Sequence, residues 1–329
     1  MRNRILFVLA LLVAAAVWFW WVPGFRLPPL PVPTTDPSGA AKLFEAIQAA
    51  EARLPLSPEG ESRMFSHGRR TPRVFVLLHG LTNCPEQFVP LGRILFESGA
   101  NVVIPRARYA GLANRLNNEQ GRQSAQDLID QAEEGLALAT GLGDSITLVG
   151  LSGSAVAVGW MAQNRPGIDR AVLISPFFAP NGMPALAVDA IAPVLARLPP
   201  VFIWWNPELR EANPGPPYAY PRVSTFTLAD TLQLSRNVQA GVRTGPLEAG
   251  RVLFITSDAD VAVDGPLNRA LAAEWEKRFP GRVTFFEFPA DQKVPHDMID
   301  PNQPDQRTAI AYPKILQLLG VPVPAGIIR

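Results

Sequence analysis

The feature that most restricts how this chain can fold is a series of short apolar segments alternating with helical ones. Val74–Leu78, Val102–Pro105, Ile146–Val149, Ala171–Ile174, Val252–Thr256 and Val283–Phe288 are short and mainly apolar at successive positions. A strand apolar on both faces must be covered on both faces, and this is the signature of a parallel sheet between helix layers. Glu86–Ser98, Gln123–Ala139, Ala155–Asn164, Leu267–Arg278 and Thr308–Leu319 supply helical segments between and after them, and Ala41–Leu54 precedes them. The expectation is an α/β fold with a mainly parallel, doubly wound sheet over residues 41–329. Residues 181–249 break the alternation. They are rich in proline and aromatics, among them Trp204, Trp205, Tyr218, Tyr220 and Phe226, and are expected to form an inserted cap.

The first 22 residues belong to a different regime. Ile5–Val22 is an uncharged run of 18 residues preceded by Arg2 and Arg4 and ending in Trp18, Phe19, Trp20 and Trp21. At 1.5 Å per residue it reaches roughly 27 Å, enough for the hydrocarbon core of a bilayer. The basic flank and the aromatic end predict a single-pass transmembrane anchor with the bulk of the chain on the exported, periplasmic or extracellular side. A cleaved signal peptide is the competing reading, with Ala14-Ala15-Ala16 as its small-residue site, and would make the protein secreted. Residues 23–40 (PGFRLPPLPVPTTDPSGA) read as a stiff, extended, proline-rich linker.

Composition narrows the chemistry. Lys+Arg number 30 and Asp+Glu 29, so no general field attracts nucleic acid. The one cysteine, Cys84, excludes an intramolecular disulfide and a thiolate-rich zinc site. Cys84 itself reads as packing. Histidines number three, His67, His79 and His296, which leaves few candidates for an acid–base role.

Gly150-Leu151-Ser152-Gly153-Ser154 directly follows the strand Ile146–Val149 and opens a helix. A serine on so sharp a strand-to-helix turn is lifted clear of the sheet, and the positions two before and two after it must be small because the backbones approach closely. Ser152 is therefore the candidate nucleophile. Val74–Leu78 runs into His79-Gly80-Leu81-Thr82, where Gly80 permits a tight turn. The backbone N–H of Leu81 and of Gly153 are the candidate oxyanion donors, placed to stabilise charge developing on a carbonyl oxygen. His79 is expected to brace that turn rather than act as base.

A serine hydroxyl needs a base, and the base an orienting carboxylate. The strand Val252–Thr256 leads into Ser257-Asp258-Ala259-Asp260-Val261-Ala262-Val263-Asp264. Asp260 is favoured by its offset from the strand end and by the apolar Val261 and Val263 after it. Asp258 and Asp264 stay open, Asp264 reading also as the N-cap of the next helix. One histidine follows these carboxylates, His296 in Val294-Pro295-His296-Asp297-Met298, and it is the candidate base. No apolar strand leads into His67, which is expected to be structural or exposed.

HGLTNCPEQFVPLGRIL, GLSGSA, SDADVAV and PHDM resemble the corresponding motifs of α/β-hydrolases over about residues 72–320, with the nearest likeness to carboxylesterases and to monoacylglycerol-lipase-like or lysophospholipase-like enzymes. The resemblance implies an α/β-hydrolase fold with a cap and no cofactor. It carries the triad onto Ser152, Asp260 and His296 and the oxyanion donors onto Leu81 and Gly153. The expected activity is a serine hydrolase acting on a small-molecule ester, and the cap aromatics suggest an apolar acyl group. Peptidase, thioesterase and acyltransferase chemistry on the same fold, and a catalytically silent binding protein, are the alternatives. Two departures stand out. Ser154 replaces the usual last glycine of the turn, and Arg106-Ala107-Arg108-Tyr109-Ala110-Gly111 replaces the family's common glycine-rich loop, which bears on substrate rather than chemistry.

Overall fold

A computed structural model describes residues 24–28 and 33–323. The apolar run Ile5–Val22 and part of the proline-rich linker lie outside the described residues. Within them, no helix is long and apolar enough to cross a membrane.

The elements run α1 (Pro37–Glu51), β1 (Arg63–Phe65), β2 (Thr71–Leu78), α2 (Val89–Glu97), β3 (Asn101–Ile104), α3 (Ala125–Leu142), β4 (Gly143–Leu151), α4 (Gly153–Asn164), β5 (Arg170–Ile174), α5 (Ala185–Leu195), β6 (Phe202–Trp204), β7 (Arg222–Ser224), α6 (Thr225–Thr244), β8 (Arg251–Ser257), α7 (Gly265–Arg278), β9 (Val283–Phe288) and α8 (Thr308–Leu319). Seven strands form one sheet in the order β1-β3-β2-β4-β5-β8-β9, and β6 pairs with β7 separately. Only β1 runs antiparallel in the large sheet. The α/β, mainly parallel architecture expected from the sequence is therefore present.

Strand β2 shows why the apolar runs are continuous. Val74, Val76 and Leu78 face one core and Phe75 and Leu77 the other, as the two-residue period of a strand requires. The first core is covered by α1, α3, α4, α6 and α7, the second by α2 and α8. Each of these Val and Leu side chains contributes roughly 1.5–3 kcal/mol by its burial. Helix α1 begins earlier than its apolar periodicity predicts. Asp36 caps it by accepting from the Gly39 N–H at 2.8 Å, and Pro37 fits the first helical position because that N–H would be unpaired anyway. Helix α3 is opened by a capping box between Ser124 and Asp127.

The stretch 181–249 divides into two parts. Helix α6 lies in the helix layer, with Leu234, Val238 and Val242 in the first core. Residues 181–221 touch the first core through Val188 and Ala192 of α5 and carry exposed apolar side chains, including Leu186, Val201, Ile203 and Trp205.

A buried ion pair fixes the loop after β3. Glu51 accepts from the Ser62 N–H and Oγ, both at 2.8 Å, and from Arg106 Nε at 3.0 Å. Arg106 and Glu51 side chains are 11% and 6% exposed, so removing one strands the other away from water. Arg106→Ala is expected to lower the unfolding free energy by about 3–5 kcal/mol, read from the denaturant midpoint. A loss below about 1 kcal/mol would mean that the pair behaves as an exposed one.

Candidate active site

The carboxyl ends of β2, β4, β5 and β8 lie side by side, and the candidate residues sit on the loops that leave them. In open α/β sheets this edge is where ligands bind. Ser152 follows β4 with φ 59° and ψ −118°, a conformation disfavoured for a residue with a Cβ. It is held by its surroundings. Its N–H donates to Ile174 O at 2.9 Å, and its carbonyl accepts from the Phe177 N–H at 3.1 Å. The small residues around it are sterically required. A Cβ at Gly150 would stand 2.7 Å from Ser154 O and 2.8 Å from Ala155 N. Ser154 is fully buried, and its Oγ donates to His79 O at 2.6 Å, tying the start of α4 to the turn after β2.

That turn is built as a rigid piece. His79 Nδ1 donates to Gly80 O at 2.9 Å and its Nε2 accepts from the Ala107 N–H at 3.1 Å. Burial pushes His79 down to about 4, so it is a neutral brace. The Leu81 N–H has no acceptor among the described residues. The Gly153 N–H belongs to the first turn of α4, whose donors lack intrahelical partners. A Cβ at Gly153 would lie 2.5 Å from Leu81 Cγ, so glycine is what lets these two donors approach each other.

Of the three carboxylates after β8, Asp260 is the one brought to His296. Its Oδ2 accepts from His296 Nδ1 at 2.7 Å and its Oδ1 from the Ala262 N–H at 2.8 Å. Asp258 is exposed, and Asp264 caps α7 through the Leu267 N–H at 2.9 Å. Burial works to lower the His296 pKa, but the charge and hydrogen bond of Asp260 outweigh it and hold the imidazole up at about 8. Burial works in turn to raise Asp260, and the charge of His296 with the hydrogen bonds it receives keeps it below the usual carboxylate value. Among the described residues His296 Nε2 makes no hydrogen bond, and His296 and Ser152 line the same cavity of about 600 Å³. Its other walls are largely apolar, with Leu81, Phe177, Pro180, Met183 and Leu228.

Several contributing residues carry no sequence motif. Gln87, fully buried, accepts from the Gly80 N–H at 2.8 Å and donates through Nε2 to Asp297 Oδ1 at 2.9 Å. Gln303 donates to the other Asp297 oxygen at 3.0 Å. Tyr220 is a staple as well as a wall. Its N–H donates to Thr82 O at 2.8 Å, and its hydroxyl accepts from the Leu112 N–H and donates to Tyr109 O. His67 stacks on Phe96 at 4.1 Å between ring centroids, far from this cavity in role, and Cys84 is buried with its thiol pushed up to about 12 by burial. No His, Cys, Asp and Glu cluster suited to a metal ion occurs among the described residues.

A parallel sheet with a serine on a strained strand-to-helix turn and a histidine–carboxylate pair on later loops defines the α/β-hydrolase class. The sequence pattern described as the Alpha/beta hydrolase family matches residues 75–309, and the chain belongs to that family. Among solved structures, a monoacylglycerol lipase from Paleococcus ferrophilus is similar at 20% identity with a TM-score of 0.59, over 78% of this chain and 97% of that one. A soluble variant of monoglyceride lipase from Saccharomyces cerevisiae, in complex with a substrate analog, is similar at 14% identity and a TM-score of 0.59, over 79% and 91% of the two chains. A structure from work on LipS and LipT, two metagenome-derived lipolytic enzymes, is 16% identical with a TM-score of 0.56, over 80% and 99%. At these identities the likeness is one of fold. No curated protein matches the chain in sequence.

Proposed function

We propose that the chain is a serine hydrolase of carboxylic esters, acting through an acyl intermediate on Ser152. The observation that carries this reading is the Asp260–His296 pair at 2.7 Å, opening with Ser152 onto one apolar cavity. His296 Nε2 takes the Ser152 proton as Oγ attacks the ester carbonyl. The carbonyl oxygen gains negative charge and receives the Leu81 and Gly153 N–H groups. The C–O bond to the alcohol then breaks, and the alcohol leaves with the proton from His296. Water, deprotonated by His296, attacks the acyl carbon and returns Ser152. Asp260 holds the Nδ1–H tautomer and stabilises the imidazolium between these transfers.

The apolar walls favour an ester with an apolar acyl group. Residues 181–221 act as a cap whose apolar side chains border the approach to the cavity. The run Ile5–Val22 tethers the domain to a membrane, with the catalytic part on the exported side. The reading is tested by labelling with a serine-reactive fluorophosphonate and by hydrolysis of p-nitrophenyl esters of graded chain length. A folded protein that takes no label and cleaves no ester sinks it, and leaves a binding protein on a hydrolase fold.

The pH profile follows from His296. The base must be neutral, and it is protonated below its pKa of about 8. kcat/KM is therefore expected to rise as pH climbs through about 8 and then level off. A limb centred near the ordinary histidine value of 6.5 would show that Asp260 does not act on the imidazole in the free enzyme.

A further inference from the structure

The cavity holds a cationic side chain that ester cleavage does not use. Arg115 lies on its wall, on the loop between β3 and α3. Nε of Arg115 donates to Ala219 O at 2.7 Å, and the next residue, Tyr220, donates its N–H to Thr82 O at 2.8 Å. Two hydrogen bonds thus seat Arg115 beside the oxyanion turn, and the Tyr220 hydroxyl pins the same loop at Tyr109 and Leu112. With Nε so fixed, the two Nη groups have no hydrogen bond or ion pair among the described residues. The carboxylate on the cavity wall, Asp297, has both oxygens engaged by Gln87 and Gln303.

A ligand that fills this cavity displaces water from the side of the half-buried guanidinium that faces it. A neutral ligand gives that side nothing in return, whereas an anionic oxygen replaces the lost water with a charge-assisted pair. The planar fork matches a carboxylate or a phosphate. We propose that Arg115 is a specificity-determining residue that receives an anionic oxygen group of the ester substrate, carboxylate or phosphate. This inference rests on the serine-hydrolase reading for its chemistry but not for its anion site.

The test compares three esters of one medium-chain acid in the full-length protein: a monoacylglycerol, its 3-phosphate, and a monoester bearing a free carboxylate on the alcohol. Wild type is expected to favour at least one anionic ester over the neutral one by about ten- to hundred-fold in kcat/KM. The preference should collapse towards unity in Arg115→Ala, survive in part in Arg115→Lys, and invert in Arg115→Glu. Which anionic ester is preferred separates a phosphate headgroup from a carboxylate. Equal rates on neutral and anionic esters, or a preference that survives Arg115→Ala, overturn the proposal while the hydrolase reading stands. If no ester is cleaved, that reading falls instead, and calorimetric binding of octyl phosphate and octanoate against octanol decides the anion site. Binding of either anion that exceeds octanol and is lost in Arg115→Ala upholds it, and any other pattern overturns it.

Discussion

Replacing Ser152 with alanine is expected to reduce ester kcat/KM by roughly 10⁴- to 10⁶-fold, with the apparent melting temperature little changed. The two halves of this expectation have separate causes. The hydroxyl is the atom that would bond the acyl carbon, and nothing beside it can replace it: Ser154 Oγ is committed to His79 O at 2.6 Å and is fully buried. The backbone at 152 keeps φ 59° because the Ile174 and Phe177 bonds hold it there, and alanine retains the same Cβ, so the strain neither grows nor relaxes. Fluorophosphonate labelling should disappear together with turnover. Activity within about tenfold of wild type, in protein shown to be free of wild-type carry-over, would remove Ser152 from the chemistry.

Asp260→Asn carries the second-largest expected loss, about 10³- to 10⁴-fold in kcat. An amide next to Nδ1 can offer its own N–H and so favour the tautomer that presents a proton, not a lone pair, at Nε2. The variant also predicts a change of profile. The carboxylate is what overcomes burial and raises His296 to about 8, so without it burial acts unopposed by that charge and the rising limb of activity should move to lower pH. Asp258→Asn is the internal comparison. Asp258 is exposed, while Asp260 accepts from the imidazole, so the first substitution is expected to stay within about threefold of wild type. A larger loss in Asp258→Asn than in Asp260→Asn would reassign the carboxylate.

The sheet was legible in the sequence because β2, β4, β5 and β8 are buried on both faces and so read as unbroken apolar runs. Their ends lay beyond the expected bounds where polar residues sit at the rim, as with Thr71 and Arg73 in β2. Helix α6 was less visible. Its inner face carries Thr227, Thr231, Gln233 and Ser235, buried but polar, and Ser235 Oγ spends its hydrogen bond on Phe178 O at 2.7 Å. Apolar periodicity does not detect such a face, and the helix merged with the proline-rich stretch before it. Ser152, His296 and the three carboxylates could be named because each follows a strand. Among the carboxylates, Asp260 was favoured by its offset from the strand end and the apolar residues after it, and it is the one that accepts from His296 at 2.7 Å. Gln87 and Arg115 carried no signal, because their partners lie 210 and 104 positions away in the chain.

The Gln87 side chain has a consequence for how two loops of the candidate site are placed. One end holds the turn that carries the Leu81 donor, and the other holds the residue next to His296. A single fully buried amide therefore ties the turn after β2 to the loop that carries His296. The two loops share one anchor, so their relative placement is set when the chain folds.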